Sequence, residues 1–522
     1  MSENFLYITT PLYYVNAKPH IGHAYTNILC DTFTRFFRWH GKKVFFLTGT
    51  DEHGTKIEKT AREHKEEPRD YVDRMVPQFK ELWRVLGIQY DYFIRTTDEE
   101  HKKIVQNVLL KLEAEGDIYK SSYTGWYCTP CESFWTKLQL AQGKCPDCGR
   151  EVQELSEDNY FFKLSKYQDW LIQYINEHPD FVRPEMRRNE ILAFLKEPLE
   201  DLSITRPKSR LSWGIEYPNS KDHVVYVWFD ALINYVSAIG MTVDHKKFLT
   251  YWPADLHLVG KDILRQHAVY WPIMLKACGV EMPKTVLAHG WWTLGGAKVS
   301  KSRGNIVDPA VLAKVYSVDA FRYFLLREVT LGLDGAYSED LLRERYTSDL
   351  ANDLGNLWFR MASMLEKYFD GAVPEAQGVE SENLLQQAFA LLEKVSVPMN
   401  RYDPRTALDA IWAVIVASNQ FVEEKKPWVL AKDPQKRPEL ARALAVLSEV
   451  LAHIGAILLP FLPDTARKIL ERLKLSPQTN FSEAAFFRTA WLKPGTLVDR
   501  GEALFPRLED EEKAPSAPAA KG

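Results

Sequence analysis

A short apolar strand, a long helix and a second apolar strand open the chain, and few folds can accept that order. Residues 5–10, FLYITT, have the Phe, Tyr, Ile and Thr content of a strand. After the turn-like PLYYVNAKP, the segment HIGHAYTNILCDTFTRFFRWHG reads as a helix closed by Gly41, with Tyr25, Leu29, Phe33 and Phe36 at helical spacing. KKVFFLTGTDEHG, residues 42–54, is a second strand running into a glycine-containing loop. Strand, helix, strand implies parallel pairing, and strands this apolar suit burial on both faces. A charged helical region follows to about residue 86. The α/β texture returns near residue 224 in HVVYVWFDALINYVSAIG, DLHLVGKDILRQHAVYWPIMLKACG and TVLAHGWWTLGGAKVSKS. Between them, residues 116–223 carry short elements, turns and four cysteines, and read as an insert within one α/β domain.

From residue 318 the pattern is mostly helical, with helices expected over 341–368, 381–399, 404–425 and 437–459. A length of 522 residues suits three or four domains. An apolar fraction of 46%, with 15 Trp, 24 Tyr and 26 Phe, supports large cores and excludes a mostly disordered or fibrous chain. The net charge of −4 excludes a global basic field but leaves room for local basic patches. No run of about 18 apolar residues occurs, so no membrane span is expected. The first residues lack the basic region of a secretory signal, and six cysteines are too few for a disulfide scaffold. A cytoplasmic protein is expected. The tail 511–522, EEKAPSAPAAKG, is expected to be disordered.

Cys128, Cys131, Cys145 and Cys148 form CxxC, thirteen residues, CxxC. Paired knuckles of this kind hold tetrahedral zinc; four free thiols or two disulfides are the alternatives. Four thiolates would leave no open position, so the zinc would be structural. Cys30 and Cys278 sit on apolar helical faces and read as core residues.

Two further motifs suit phosphates. PHIGH places His20 and His23 three apart on the first turns of a helix, with Pro19 able to start it. Imidazoles and unbonded N–H groups would then face an anion at the positive helix end. Surface histidines or a partial metal site would produce the same pair. GGAKVSKSRGN, residues 295–305, sets Lys298 and Lys301 among Ser300, Ser302 and glycines. Two ammonium groups on flexible backbone suit a pyrophosphate, although an exposed basic turn is the plain alternative.

Taken together, HIGH (20–23) and KVSKS (298–302) resemble the signatures of class I aminoacyl-tRNA synthetases. TPLYYVNAKPHIGH, LTGTDEHGTKI, VYVWFDALINY, AHGWWTLGGAKVSKSRGN and the cysteine knuckles resemble the methionyl-tRNA synthetase family over about residues 5–475. Val299 replaces the family's usual Met and keeps the position apolar. The resemblance implies a Rossmann-like parallel-sheet catalytic domain in two halves, 1–115 and 224–317, around a zinc-knuckle connective insert, 116–223. A stem-contact linker at 318–350, an all-α anticodon-binding bundle at 351–500 and a tail at 501–522 would follow. It implies ATP-dependent ligation of L-methionine to initiator and elongator methionine tRNA through methionyl-adenylate, with Mg²⁺ accompanying ATP and one structural Zn²⁺.

The same resemblance assigns His20, His23, Gly260, Asp262, Lys298, Ser300 and Lys301 to ATP, the two His and two Lys being catalytic. Leu12, Tyr14, Trp228, Ala231, Leu232, Tyr235 and His289 would line the methionine site, with Asp51 pairing the substrate ammonium. Without the resemblance, core packing would explain most of these apolar residues. Asn356, Arg360 and Trp428 would read the anticodon. Homocysteine is an expected error substrate, since one methylene is worth only about 1–3 kcal/mol in an apolar pocket. The short stretch beyond the bundle leads to the expectation of a monomer without a membrane partner.

Overall fold

The computed structural model describes residues 5–129, 133–135, 137–146, 148–294, 297–298, 307–477 and 483–508. Its centre is a seven-stranded parallel sheet. The strands are Phe5–Thr9 (β1), Tyr13–Tyr14 (β2), Lys43–Asp51 (β3), Tyr92–Arg95 (β4), Val182–Arg183 (β5), Leu256–Gly260 (β6) and Val286–His289 (β7). β1 lies between β3 and β6, with Ile8 opposite Phe46 on one side and Leu256 on the other. β6 continues to β7 and β7 to β5, while β2 and β4 both pair with β3.

Both faces of the sheet are covered, which is why its strands are apolar throughout. Successive side chains point to opposite faces. Ile8, Phe46, Leu256, Leu258 and Leu287 therefore enter one core, and Tyr7, Leu47, Val259, Val286 and Ala288 the other. The first core takes the buried face of the helix Ile21–Trp39 (α1), including Tyr25, Leu29, Cys30, Phe33 and Phe36. Gly41, at φ +74°, turns the chain out of α1 towards β3. Gly49 is required by close approach: a Cβ there would lie 2.1 Å from the Ile94 carbonyl oxygen on β4.

The insert is a long antiparallel hairpin, Ile118–Cys128 with Gln153–Phe162, extended by Ser133–Trp135 and Leu202–Ser203. It is less separate than the sequence suggests, because β5, within 116–223, forms an edge of the main sheet. Two residues are too few to show a period, so this strand is invisible in the sequence.

The helices Val318–Arg327 (α4 below), Pro404–Lys425 and Arg437–Leu458 carry the C-terminal half. Pro434–Leu458 is by length and composition apolar enough to cross a membrane, but it is buried within the bundle. The helix expected over 341–368 is helical from Glu339 to Phe369, yet Tyr346–Gly355 winds as a π-helix. Side chains of Pro404–Lys425 meet the shifted carbonyls: Trp412 Nε1 donates to the Asp349 oxygen at 3.3 Å and Asn419 Nδ2 to the Asp353 oxygen at 3.1 Å. Leu504 and Phe505 fold back and are buried, Phe505 against the Tyr346 ring. The tail 511–522 lies outside the described residues.

Candidate active site

Of the two histidines of PHIGH, His20 caps α1 and His23 stands on its first turn. The helix begins at Ile21, with His20 as N-cap and Pro19 still outside. His20 Nδ1 accepts from the Gly22 N–H at 3.1 Å, and His23 Nδ1 accepts from the His20 N–H at 3.2 Å. This is a reciprocal capping box built from imidazoles, the rings stacked 3.9 Å apart. Because each Nδ1 accepts a backbone proton, each neutral ring carries its hydrogen on Nε2. The pair thus offers two N–H donors at a positive helix end. Tyr13 and Phe79 hold the His23 ring at 4.9 and 5.7 Å.

Gly260 and His289 end the neighbouring strands β6 and β7 and face each other in register. A Cβ on Gly260 would lie 2.6 Å from Asp262 Oδ1 and 3.8 Å from the His289 ring. Asp262 Oδ1 accepts from Trp291 Nε1 at 3.1 Å, and Lys261 pairs with Asp334 at 2.7 Å while lying over the Trp291 ring. Trp292–Leu294 and Ala297–Lys298 form the hairpin that leads into KVSKS, with Lys298 opposite Thr293. Ser300 and Lys301 lie outside the described residues, and for Lys298 the backbone alone is described.

Leu12, Tyr14, Trp228, Leu232 and Tyr235 share one apolar cluster, and Ala231 is buried beside Leu232. Trp228, Ala231, Leu232 and Tyr235 follow i, i+3, i+4, i+7 spacing along Val227–Leu232 (α3, with α2 being Glu99–Ala114) and the turn after it. Asp51, buried at the end of β3, pairs with Tyr14 of β2.

His289, the last residue of β7, reaches towards α1. Its Nε2 is 2.8 Å from Thr26 Oγ1, its Nδ1 is 2.7 Å from the Gly290 oxygen, and Tyr25 packs edge-on against it. Gly260 lies beside it across the sheet, a Cβ there being 3.8 Å from the His289 ring. His267 stands behind the aromatic residues of the cluster: its Nε2 lies 2.7 Å from the Tyr235 hydroxyl and Trp228 stands edge-on to its ring. His267 Nδ1 bonds the Ile263 oxygen at 2.8 Å. Burial depresses the His267 pKa to about 4, so the ring is neutral, donating to Ile263 and accepting from Tyr235. The residue stands in GKDILRQH, but Gln266–Tyr270 is a π-helix, so the ordinary helical period misplaces it.

Cys128, Cys145 and Cys148 bring their sulfurs within 4.8 Å of one another, Cys128 and Cys148 being 3.5 Å apart. A tetrahedral metal with bonds of about 2.3 Å spaces its sulfurs about 3.8 Å apart, so the donor set fits such an ion. Cys131 lies outside the described residues. Far along the chain, the Arg360 guanidinium lies 5.6 Å from the centre of the Trp428 ring and its Nη2 bonds Glu423 at 2.6 Å. Asn356, one turn earlier on Asn356–Phe369 (α5), is exposed, and Trp428 is 37% exposed.

A family model described as tRNA synthetases class I (M) matches residues 6–157 and 150–362. The chain is 51% identical over 519 residues to a methionine--tRNA ligase of Caldanaerobacter subterraneus, covering 99% of this chain and 81% of that protein. The chain belongs to the methionyl-tRNA synthetase family. A second model, the anticodon binding domain of methionyl tRNA ligase, matches residues 373–518. A methionine--tRNA ligase of Thermotoga maritima is 44% identical over 97% of this chain and 81% of its own length. Among solved structures, the Mycobacterium tuberculosis methionyl-tRNA synthetase in complex with methionyl-adenylate superposes with a TM-score of 0.92 at 41% identity, covering 97% of this chain and all of that one. The apo form of a synthetase from the same organism gives 0.83 at 38% identity, over 97% and 98% of the two chains. Methionyl-tRNA synthetase membership accounts for an α/β domain and an anticodon bundle in one chain.

Proposed function

We infer that this chain catalyses the ATP-dependent ligation of L-methionine to its tRNA, and that the residues assembled around α1, β3, α3 and β6 carry the activation step. The observation that carries this reading is the capped His20–His23 pair, with Gly260 and Asp262 close to His289 and an apolar cluster beside Asp51. The methionine carboxylate oxygen attacks the α-phosphorus of ATP, the bond to the bridging oxygen breaks, and pyrophosphate leaves. The Nε2–H groups of His20 and His23 donate to phosphate oxygens at the helix end. Lys298 and Lys301 neutralise the charge that grows on the pentacoordinate phosphorus and the departing pyrophosphate. Ser300, Gly260 and Asp262 position the nucleotide. Asp51 pairs the ammonium, while Leu12, Tyr14, Trp228, Ala231, Leu232, Tyr235 and His289 enclose the thioether, with His267 holding the Tyr235 hydroxyl from behind. No protein nucleophile is used; the rate comes from positioning and fixed charge. The terminal adenosine hydroxyl of the tRNA then attacks the activated carbonyl and releases AMP.

Mg²⁺ bound with ATP would supply further charge neutralisation on the phosphates. Cys128, Cys131, Cys145 and Cys148 would hold one structural Zn²⁺, stabilising the tip of the insert. Asn356, Arg360 and Trp428 would read the anticodon of initiator and elongator methionine tRNA, Trp428 by stacking. The working divisions are 1–115 and 224–317 for catalysis, 116–223 for the connective insert, 318–350 for the stem contact and 351–500 for the bundle. A cytoplasmic monomer completes the reading.

The deciding assay is methionine-dependent exchange of pyrophosphate into ATP without tRNA. Lys301→Ala should lower the rate of adenylate formation far more than it lowers ATP affinity. An unchanged rate with a greatly raised ATP dissociation constant would overturn the role given to Lys301.

A further inference from the structure

Asp51 is followed by two residues that are buried and bound to different parts of the fold. Glu52 takes Arg95 in a two-pronged pair at 2.7 and 2.8 Å and accepts from Thr50 and Thr97, both at 2.6 Å. This fastens the end of β3 to β4. His53 Nδ1 donates to Asp230 Oδ2 at 2.7 Å. The other oxygen, Oδ1, accepts from His101 Nε2 of α2 at 2.7 Å, and His101 Nδ1 meets the Ser237 hydroxyl at 2.7 Å. Asp230 is fully buried, and His53 and His101 are nearly so. Trp213 closes the outer side, edge-on to His53 and donating its Nε1–H to the Glu52 oxygen.

Asp230 lies on α3, off the stripe formed by Trp228, Ala231, Leu232 and Tyr235. That stripe faces the thioether cluster, so Asp230 faces elsewhere, towards the loop that follows Asp51. One carboxylate therefore joins the two elements that grip the two ends of the amino acid. Both of its oxygens are engaged by imidazole N–H groups, which fixes its rotamer.

We propose that Asp230 is a positioning residue that sets the span between the Asp51 carboxylate and the side-chain pocket on α3, and thereby selects the length of the amino acid. The proposal rests on the reading of Asp51 and the α3 stripe as the methionine site. Loosening the His53–Asp230–His101 link lets α3 move relative to β3 without removing any group that touches the substrate. Longer and shorter thioethers or thiols then gain relative to methionine.

The test is pyrophosphate exchange by the full chain with methionine, ethionine and homocysteine. Asp230→Asn keeps the side-chain size but replaces one acceptor with a donor. It should raise the methionine KM about tenfold or more, leave the ATP KM within about twofold, and reduce the preference for methionine over ethionine at least about fivefold. His101→Gln, which still offers an N–H, should keep much of the preference; His101→Leu should behave like Asp230→Asn. His53→Leu, which removes one N–H and leaves the His101–Asp230 pair intact, carries the same expectation should Asp230→Asn fail to fold. A purely structural role would lower the thermal midpoint and leave the preference unchanged, and that result overturns the proposal. Asp51→Asn separates the two layers: an unchanged methionine KM there sinks the site reading itself. A raised KM there, together with wild-type preference in Asp230→Asn and His53→Leu, sinks the clamp alone.

Discussion

His267 and Trp428 show how a single side chain acts through what holds it. The Tyr235 hydroxyl can donate to His267 Nε2 only while that nitrogen is unprotonated. Burial places the folded pKa near 4, below the ordinary value of 6.5. A depressed histidine contributes stability that is fully present above its unfolded value and is lost as the pH falls from about 6.5 towards 4. Thermal midpoints measured across that window should fall less in His267→Gln than in wild type, and parallel curves would refute the linkage. Trp428, by contrast, is partly exposed and already carries the Arg360 cation on its face, with Glu423 holding the guanidinium. Trp428→Ala should leave pyrophosphate exchange near normal and cut tRNA charging by about tenfold, or roughly 1.4 kcal/mol. Arg360→Ala should share that loss, and the double variant should lose less than the product of the two. Independent effects would show that the contact between them has no part in recognition.

At the scale of an element, the hairpin tip of the insert depends on its cysteines. Cys128 and Cys145 are fully buried, and among the described residues Trp126, Trp135, Leu140 and Val152 make up the apolar cluster around them. Under the proposed zinc site, metal binding energy would become folding energy at this tip. Cys148→Ser should reduce zinc from one ion per chain towards zero and expose the 128–152 segment to protease, with the sheet core intact. Metal analysis alongside limited proteolysis checks this; a fully active preparation without zinc is the result that excludes it.

Across the whole molecule, Arg322 joins the halves. It is fully buried on Val318–Arg327 (α4), pairs with Asp31 of α1 at 2.7 Å, and donates to the Phe461 and Pro460 carbonyls of the bundle at 3.0 and 3.3 Å. Burial works against the Asp31 charge, yet Arg322 and Arg35 outweigh it and hold the carboxyl below its usual range. The helix bearing His20 and His23 is thus bolted to the loop between Arg437–Leu458 and Pro463–Arg472. Asp319 adds a second bolt by accepting from the Thr465 N–H at 2.6 Å. Arg322→Leu leaves the buried Asp31 carboxylate with Arg35 as its remaining cation and should cost about 3–5 kcal/mol in denaturant unfolding. Adding Asp31→Leu should recover part of that loss, because the less well compensated charge is then gone. A double variant less stable than the single one would contradict the pairing.

Local patterns were readable because their causes are local. The helical spacing of Tyr25, Leu29, Phe33 and Phe36, the apolar strands and the cysteine knuckles each rest on residues a few positions apart. The imidazole cap of α1 was visible as a motif, though its hydrogen bonds move the helix start to Ile21. What the chain's order conceals depends on partners supplied from far away. His289 ends a strand and His267 stands in the helical stretch after one; the π turn at Gln266–Tyr270 brings His267 to Tyr235, and Thr26 of α1 meets His289. β5 exists because β7 offers it an edge. Asp230 meets its histidines across 177 and 129 residues of chain, and Arg322 meets Asp31 across the two halves. Buried charges must find opposite partners wherever the fold brings them, and no spacing along the sequence records that search.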